Sequence, residues 1–423
     1  MQPEHHSLSR REVLWKMGAF AGAASFGGRS VPPSTLAPHA QSIDVRQLGA
    51  QGDGKADDTP AFEKAIEAAR SAGLAVFVPR GIYRLTRTLV VENISLSGPL
   101  PGVWCADTDV LPILLPEQRD QPCLHLKAGG GVQAMAIRYD WQSEPTSGPP
   151  AILVSGVGAY LSHVKILYPW DGVMADGVSN IGRFNMENVF IVAPRNIGVR
   201  VTGTWDAPTI RNVEVWNLGP VPRPLEKGIG FDLGKNDLIR LSDCFVFAMN
   251  IGYLLRDEIP GATIKGGTWG MLTGCSTDYC SIGIDVRGEH TLSVAGGSFW
   301  NHHQSLRVNG KNARVRVAGA EMKSNAAPCI EVMQSEHVVV SGCSILRPMT
   351  EYAFPAVHVK GGLTTMTGCH IHSVIEGLRV ESGVRAALVS ENTFETPAGK
   401  AVVNEAGDNV SVQVDRNLCM KVD

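Results

Sequence analysis

From residue 161 onward the chain repeats one short pattern: apolar, polar, Asn/Asp/Gly, small or Val, variable, apolar. Copies begin at Leu161, Met186, Ile210, Leu241, Ile264, Val294, Val317, Val340, Met366, Val389 and Val414, with spacings of 25, 24, 31, 23, 30, 23, 23, 26, 23 and 25 residues. The third position is mostly Asn, Asp or Gly, the residues that tolerate a left-handed backbone at a sharp bend. The apolar residues on either side alternate as half-buried strands do. A second motif, small-apolar-x-apolar, follows in the undisturbed copies, as in Gly198-Val-Arg-Val, Gly283-Ile-Asp-Val, Ala356-Val-His-Val and Gly377-Leu-Arg-Val. Three short strands per two-dozen-residue turn, stacked in register, predict an all-β, single-stranded parallel β-helix of about 11–12 coils. The periods alone leave its handedness open.

One helix is predicted ahead of the coils. Thr59 can cap it, Pro60 suits its first turn, and Phe62, Ala65, Ile66 and Ala69 form an apolar stripe. Gly73 can end it. A stack of coils has an open apolar end, and this helix is assigned to capping it.

Composition narrows the class. Lys+Arg number 38 against 41 Asp+Glu in 423 residues, a net charge of −3, which argues against a nucleic-acid partner. Leu, Ile, Val and Phe are spread along the whole chain, which excludes disorder. Aromatic residues are sparse at 6% while glycines number 46, in keeping with β structure and many tight turns. Ser9-Arg10-Arg11-Glu12-Val13-Leu14-Trp15-Lys16 precedes an apolar Gly/Ala-rich run from Met17 to Gly28 and resembles a twin-arginine export signal. The expected organisation is therefore a signal and linker over 1–41, cleaved near Ala40, and a β-helix domain over 42–423. The product would be periplasmic or secreted, with no membrane partner once the signal is removed. The nine cysteines are odd in number, and Cys343 and Cys369 follow the repeat, so most read as small buried hydrophobes. Cys275 and Cys280 are the one pair whose spacing raises a disulfide. Nothing has zinc-site spacing.

The segment from Ile43-Asp-Val-Arg-Gln-Leu-Gly-Ala-Gln-Gly-Asp-Gly-Lys to Ala56-Asp-Asp-Thr-Pro-Ala-Phe, followed by Val76-Phe-Val-Pro-Arg-Gly-Ile-Tyr, resembles the opening motif of the pectate-lyase-like superfamily. The branch is that of rhamnogalacturonase- and epimerase-like proteins and phage tailspikes. The resemblance implies a right-handed β-helix and action on a polysaccharide, and it leaves hydrolase, lyase, epimerase and non-catalytic binder open. Asp53, Asp57 and Asp58 in this segment read as a tight turn and helix N-terminus, and no metal ligand is assigned.

In small-apolar-x-apolar the two apolar side chains point inward and x points out. Along the stack x reads Arg200, Asp232, Leu254, Asp285, Arg307, Glu331, His358 and Arg379. In proteins of this resemblance that strand floors the substrate cleft. Two coils are longer, with extra residues assigned to Asn217–Gly228 and Gly270–Ile282 as groove walls. Trp205, Tyr279 and Tyr352 fall in expected loops, where a ring can stack on a sugar, whereas Trp269, at a repeat position, is expected in the core. His302 and His303 are secondary candidates.

Hydrolysis by an inverting enzyme requires a proton donor and a base, for which Asp232, Asp285 and Glu331 are the candidates. β-Elimination on a uronate requires neutralisation of its carboxylate and a base, for which Arg307 and His358 are the candidates, with Arg200 and Arg379 binding substrate alongside Trp205 and Tyr279. Epimerisation starts from the same proton abstraction, but the Asp-Pro-His-Asp signature of the epimerases is absent from the sequence. Cleavage of an acidic glycan by elimination is the leading expectation. A polygalacturonase-type hydrolase and a glycan-binding surface β-helix are the alternatives. No cofactor is assigned, calcium being one that a lyase can use, and oligomeric state is not legible.

Overall fold

The computed structural model describes residues 42–99, 110–140, 147–177, 180–217, 227–301, 303–349, 351–407 and 410–421. The expected leader, His302 and most of the Asn217–Gly228 insertion lie outside the described residues. Strands of successive turns pair in parallel throughout, forming a 26-stranded sheet that carries two faces of a solenoid and a 13-stranded sheet that carries the third. Thirteen strands on that third face mean slightly more turns than the motif count, because the strands Leu89–Val91, Leu124–Leu126 and Pro150–Val154 precede the first recognisable copy.

The bends are where the repeat predicts them. His163, Asn188, Asn212, Asp243, Gly296, Gly319, Gly342, Gly368, Glu391 and Arg416 all adopt positive φ. Asparagines at this bend also bond from coil to coil: Asn212 Nδ2 donates to Asn188 Oδ1 at 2.7 Å. The copy read at Ile264 is displaced. Leu241 pairs with Leu272, and Leu272 with Val294, so the true copy begins at Leu272 with its bend at Gly274. Gly270–Ile282 is consequently ordinary coil, with strands Thr268–Thr273 and Ser276–Asp278, and the inserted residues are 257–267. Trp269 lies on the outer face and is 55% exposed, which corrects its expected place in the core.

Inward-facing residues such as Val199, Val201, Phe231, Leu233, Leu255, Ile284, Val286, Leu306 and Val308 are wholly buried, each worth roughly 1.5–3 kcal/mol relative to exposure. Phe231 and Tyr253 stack on adjacent coils, 5.1 Å between centroids. The small residue of the second motif has a steric cause: a Cβ on Gly252 would lie 2.4 Å from Thr277 Cγ2 and 2.7 Å from the Gly283 carbonyl oxygen.

The helix spans Thr59–Ala72 and buries Phe62, Ala65, Ile66 and Ala69, with Phe62 edge-on to Tyr83 of the first coils. Gly73 ends it in the left-handed conformation, as its position implies. Its N-cap residue is Asp58 rather than Thr59, and Asp58 leaves the helix uncapped because its carboxylate accepts the Gln51 and Gly52 amides instead. Asp53 accepts the Lys55 and Ala56 amides, and Asp57 accepts from Thr59 and Thr86. These three aspartates hold the turn together. Cys123, Cys244, Cys275, Cys280, Cys329, Cys343 and Cys369 are free and buried. Cys275 neighbours Cys244 of the preceding coil, whereas Cys280 bonds to the Val246 carbonyl.

Candidate substrate groove

Strand pairing on the 13-stranded sheet aligns Arg200 with Asp232, then Leu254, Asp285, Arg307, Glu331, His358 and Arg379 in unbroken succession. The outward column read from the sequence is thus one continuous ladder, at about 4.8 Å per step. What the ladder does chemically depends on a second column two residues further along each strand. Period-two alternation puts Asp176, Arg256, Arg287, Lys360 and Glu381 on the same face.

Arg200 and Arg256 clamp Asp232. Its Oδ2 accepts Arg200 Nε at 2.9 Å and Arg256 Nη2 at 2.6 Å, and its Oδ1 accepts Arg256 Nε at 2.8 Å. Asp285 is held by Arg287, at 2.8 and 2.6 Å to Oδ2, and by Arg307, at 3.0 Å to Oδ1 and 2.5 Å to Oδ2. Both carboxylates are fully buried, while Arg287 remains 46% exposed. These bonds to Asp285 raise the proton affinity of Arg307, which makes it a charge for binding an anion and a poor proton acceptor.

Burial alone would lift the Glu331 carboxyl, but bonds from Lys360 and from Gln304, each 2.7 Å, hold it below its ordinary range. His358 Nε2 sits 2.6 Å from Glu381 Oε1, so the neutral ring keeps its proton on Nε2 and its lone pair on Nδ1. Burial lowers the His358 pKa, and Glu381 only partly offsets this. Arg379 reaches Glu376 at 2.7 Å and lies 3.7 Å from Glu405.

The 257–267 excursion runs back beside the ladder, with Ile264 against Gly203 and Ile259 against Gly234. Beneath it is a cavity of about 280 Å³ lined by Pro150, Leu153, Met174, Asp176, Gly177, Gly261 and Thr263. Burial raises the Asp176 carboxyl, against the pull of Arg200 Nη1 at 3.8 Å. Trp205, 46% exposed, lies beyond the end of the Arg200 strand with its amide on Asn180 Oδ1. Tyr279 stands on the opposite side, before the Asp285 strand, exposed and 5.9 Å from the Phe247 ring. The ladder therefore brings together Arg200, Asp232, Asp285, Arg307, Glu331, His358 and Arg379, and leaves Trp205 and Tyr279 outside it. The sequence reading missed Asp176, Arg256, Arg287, Lys360 and Glu381 because it took one outward position per strand, although alternation marks the second.

Residues 42–100 match the family model described as Rhamnogalacturonase A/epimerase, pectate lyase-like. The fold is a right-handed parallel β-helix. The A-module of the Azotobacter vinelandii mannuronan C-5 epimerase AlgE4 covers 90% of this chain, over its own full length, with a TM-score of 0.52 and 14% identity. The Dettilon tailspike protein covers 86% of this chain and 68% of its own at a TM-score of 0.55 and 11% identity. An Arabidopsis thaliana exopolygalacturonase is 39% identical over 61 residues, which is 14% of this chain and 12% of that protein. Likeness in fold thus spans the solenoid, while sequence likeness to curated relatives is confined to a short segment.

Proposed function

We propose that this pectate-lyase-like chain cleaves an acidic, uronate-containing polysaccharide by β-elimination in the groove. The observation that carries the reading is the contrast between the aspartates and His358. Asp232 and Asp285 each have both oxygens occupied by two guanidinium groups, whereas His358 is a neutral imidazole oriented by Glu381. An inverting hydrolase needs one carboxyl protonated and another free to activate water. Arginine-clamped carboxylates do neither. Elimination needs a base aimed at the carbon beside the uronate carboxylate and positive charge to stabilise the carbanion-like transition state. His358 Nδ1 takes that proton, and Lys360, just beyond the His358 strand, neutralises the carboxylate in exchange for its bond to Glu331. The electron pair forms the double bond as the glycosidic oxygen departs. Arg256, Arg287 and Arg307 hold neighbouring anionic sugars along the ladder. We further propose export by the twin-arginine route, which would place the enzyme where such polymers occur.

The experiment is digestion of acidic and neutral polysaccharides, with and without calcium, following ultraviolet absorbance of the new double bond together with reducing ends. Both signals rising, and both lost in His358→Ala, are the expected result. Reducing ends without absorbance would transfer the assignment to hydrolysis. Silence over a broad panel, with polymer still bound, would favour the binding alternative.

A further inference from the structure

Upstream of Arg200 the same face carries a different set of groups. His125 lies in the outward column, aligned with Leu153 and then Met174. Pairing of Leu126 with Val154 and of Val154 with Ala175 places Lys127, Ser155 and Asp176 side by side on successive coils. His125 Nε2 and Ser155 Oγ are 2.6 Å apart. Leu153 and Asp176, the neighbours of Ser155 along its strand and on the next coil, line the 280 Å³ cavity under the 257–267 excursion. Nothing in the elimination reading uses these residues. Nine coil steps separate His125 from His358 along the ladder, about 43 Å.

We infer that Ser155 and His125 form a second hydrolytic site, a serine esterase that removes small O-acyl groups such as acetyl from a glycan. A serine hydroxyl becomes a useful nucleophile when a neutral imidazole within hydrogen-bond reach takes its proton. Burial and then the Lys127 charge lower the His125 pKa and so favour the neutral ring, and the Glu92 carboxylate acts in the opposite sense, favouring the imidazolium that forms during reaction. In the first step Ser155 Oγ bonds to the ester carbonyl carbon while its proton passes to His125 Nε2. The bond from that carbon to the sugar oxygen then breaks, and the sugar oxygen leaves with the proton. Water, deprotonated by the same imidazole, cleaves the acyl-serine to the carboxylic acid and restores Ser155. The Lys127 ammonium on the adjacent coil offsets charge on the carbonyl oxygen. Leu153 and Met174, beside the pair, offer apolar surface to the acyl methyl group, in an open depression that Gly261 and Thr263 also line.

The test uses the purified full chain with a fluorophosphonate probe, peptide mapping of the modified serine, and hydrolysis of 4-nitrophenyl acetate and acetylated polysaccharide. Labelling at Ser155 is expected, together with a loss of about 100-fold or more in acetate release in Ser155→Ala and in His125→Gln. Thermal unfolding should match the parent, and Ser155→Cys keeps the question open to thiol-directed labelling if the alanine variant folds poorly. No label on Ser155, or acetate release that survives Ser155→Ala, overturns the inference. Release of acetate and formation of unsaturated ends are read separately, so failure of the elimination reading leaves this result standing.

Discussion

Replacing Asp285 with asparagine distinguishes a clamped structural carboxylate from a catalytic one. The parent carboxylate accepts four N–H bonds from Arg287 and Arg307 while wholly buried. The amide keeps the shape but loses the charge, and its nitrogen donates toward guanidinium groups that also only donate. Removing one partner of a buried ion pair costs about 3–5 kcal/mol. Arg287 is 46% exposed and can turn toward water, which puts the cost at Asp285 near the lower end. Around Asp232 the arginine side chains are only 10% and 20% exposed, so Asp232→Asn should cost more. With a urea m-value of about 3 kcal/mol/M or above for a domain of this size, Asp285→Asn should lower the unfolding midpoint by up to about 1 M. The folded fraction should still form unsaturated ends within about tenfold of the parent rate. The reasoning is refuted if Asp285→Asn unfolds at the parent urea concentration yet loses cleavage a hundredfold or more. That outcome would make Asp285 an acid or base in the reaction.

The other tests probe the base, one buried acid and the coil packing. Glu381→Gln removes the larger of two carboxylate influences that raise the His358 pKa, so the acid limb of the rate profile should move to lower pH with a reduced plateau, read from kcat/KM against pH. A limb that does not move would detach His358 from proton transfer. Asp171 is buried and its pKa is raised to about 6, with partial relief from Asn196 and the Ile197 amide. A carboxyl raised above its unfolded value near 3.8 favours the folded state at acid pH, and its ionisation lowers stability as pH climbs from about 4 to 6. Asp171→Asn should flatten the stability profile over that window, by about 3 kcal/mol if the whole shift is realised, and an unchanged profile in urea titrations would contradict it. Gly252→Val drives a side chain into Thr277 and the Gly283 carbonyl and should cost at least about 2 kcal/mol, seen as a lower thermal midpoint.

Much of the ladder could be read because β-helix geometry is local in kind, although its contacts are distant in sequence. The small-apolar-x-apolar motif places Arg200, Asp232, Asp285 and His358 on one face, since side chains alternate and turns repeat. The displaced copy at Ile264 shows where this fails. Gly266-Gly267 imitates a bend, and Gly266 does adopt positive φ, but at the base of an excursion closed by its own amide on the Asp257 carbonyl. Register is settled by pairing with the neighbouring coils, Leu241 with Leu272 and Leu272 with Val294, and no single stretch of sequence contains that information. Misplacing it shifted the insertion and turned Trp269 inward.

The sequence by itself determined the parallel solenoid, its bends, its capping helix and the order of charges along the ladder. Each of these follows from a periodicity or from the backbone freedom of a single residue. Tertiary structure alone decided which charges are available. Asp232 and Asp285 meet arginines supplied by neighbouring coils, 22 to 32 residues away for Arg200, Arg256 and Arg307, while His358 meets Glu381 at a distance of 23. An isolated carboxylate and a clamped one are the same letter in the chain. They differ in desolvation and in the number of donors around them, and those are properties of the packed coils.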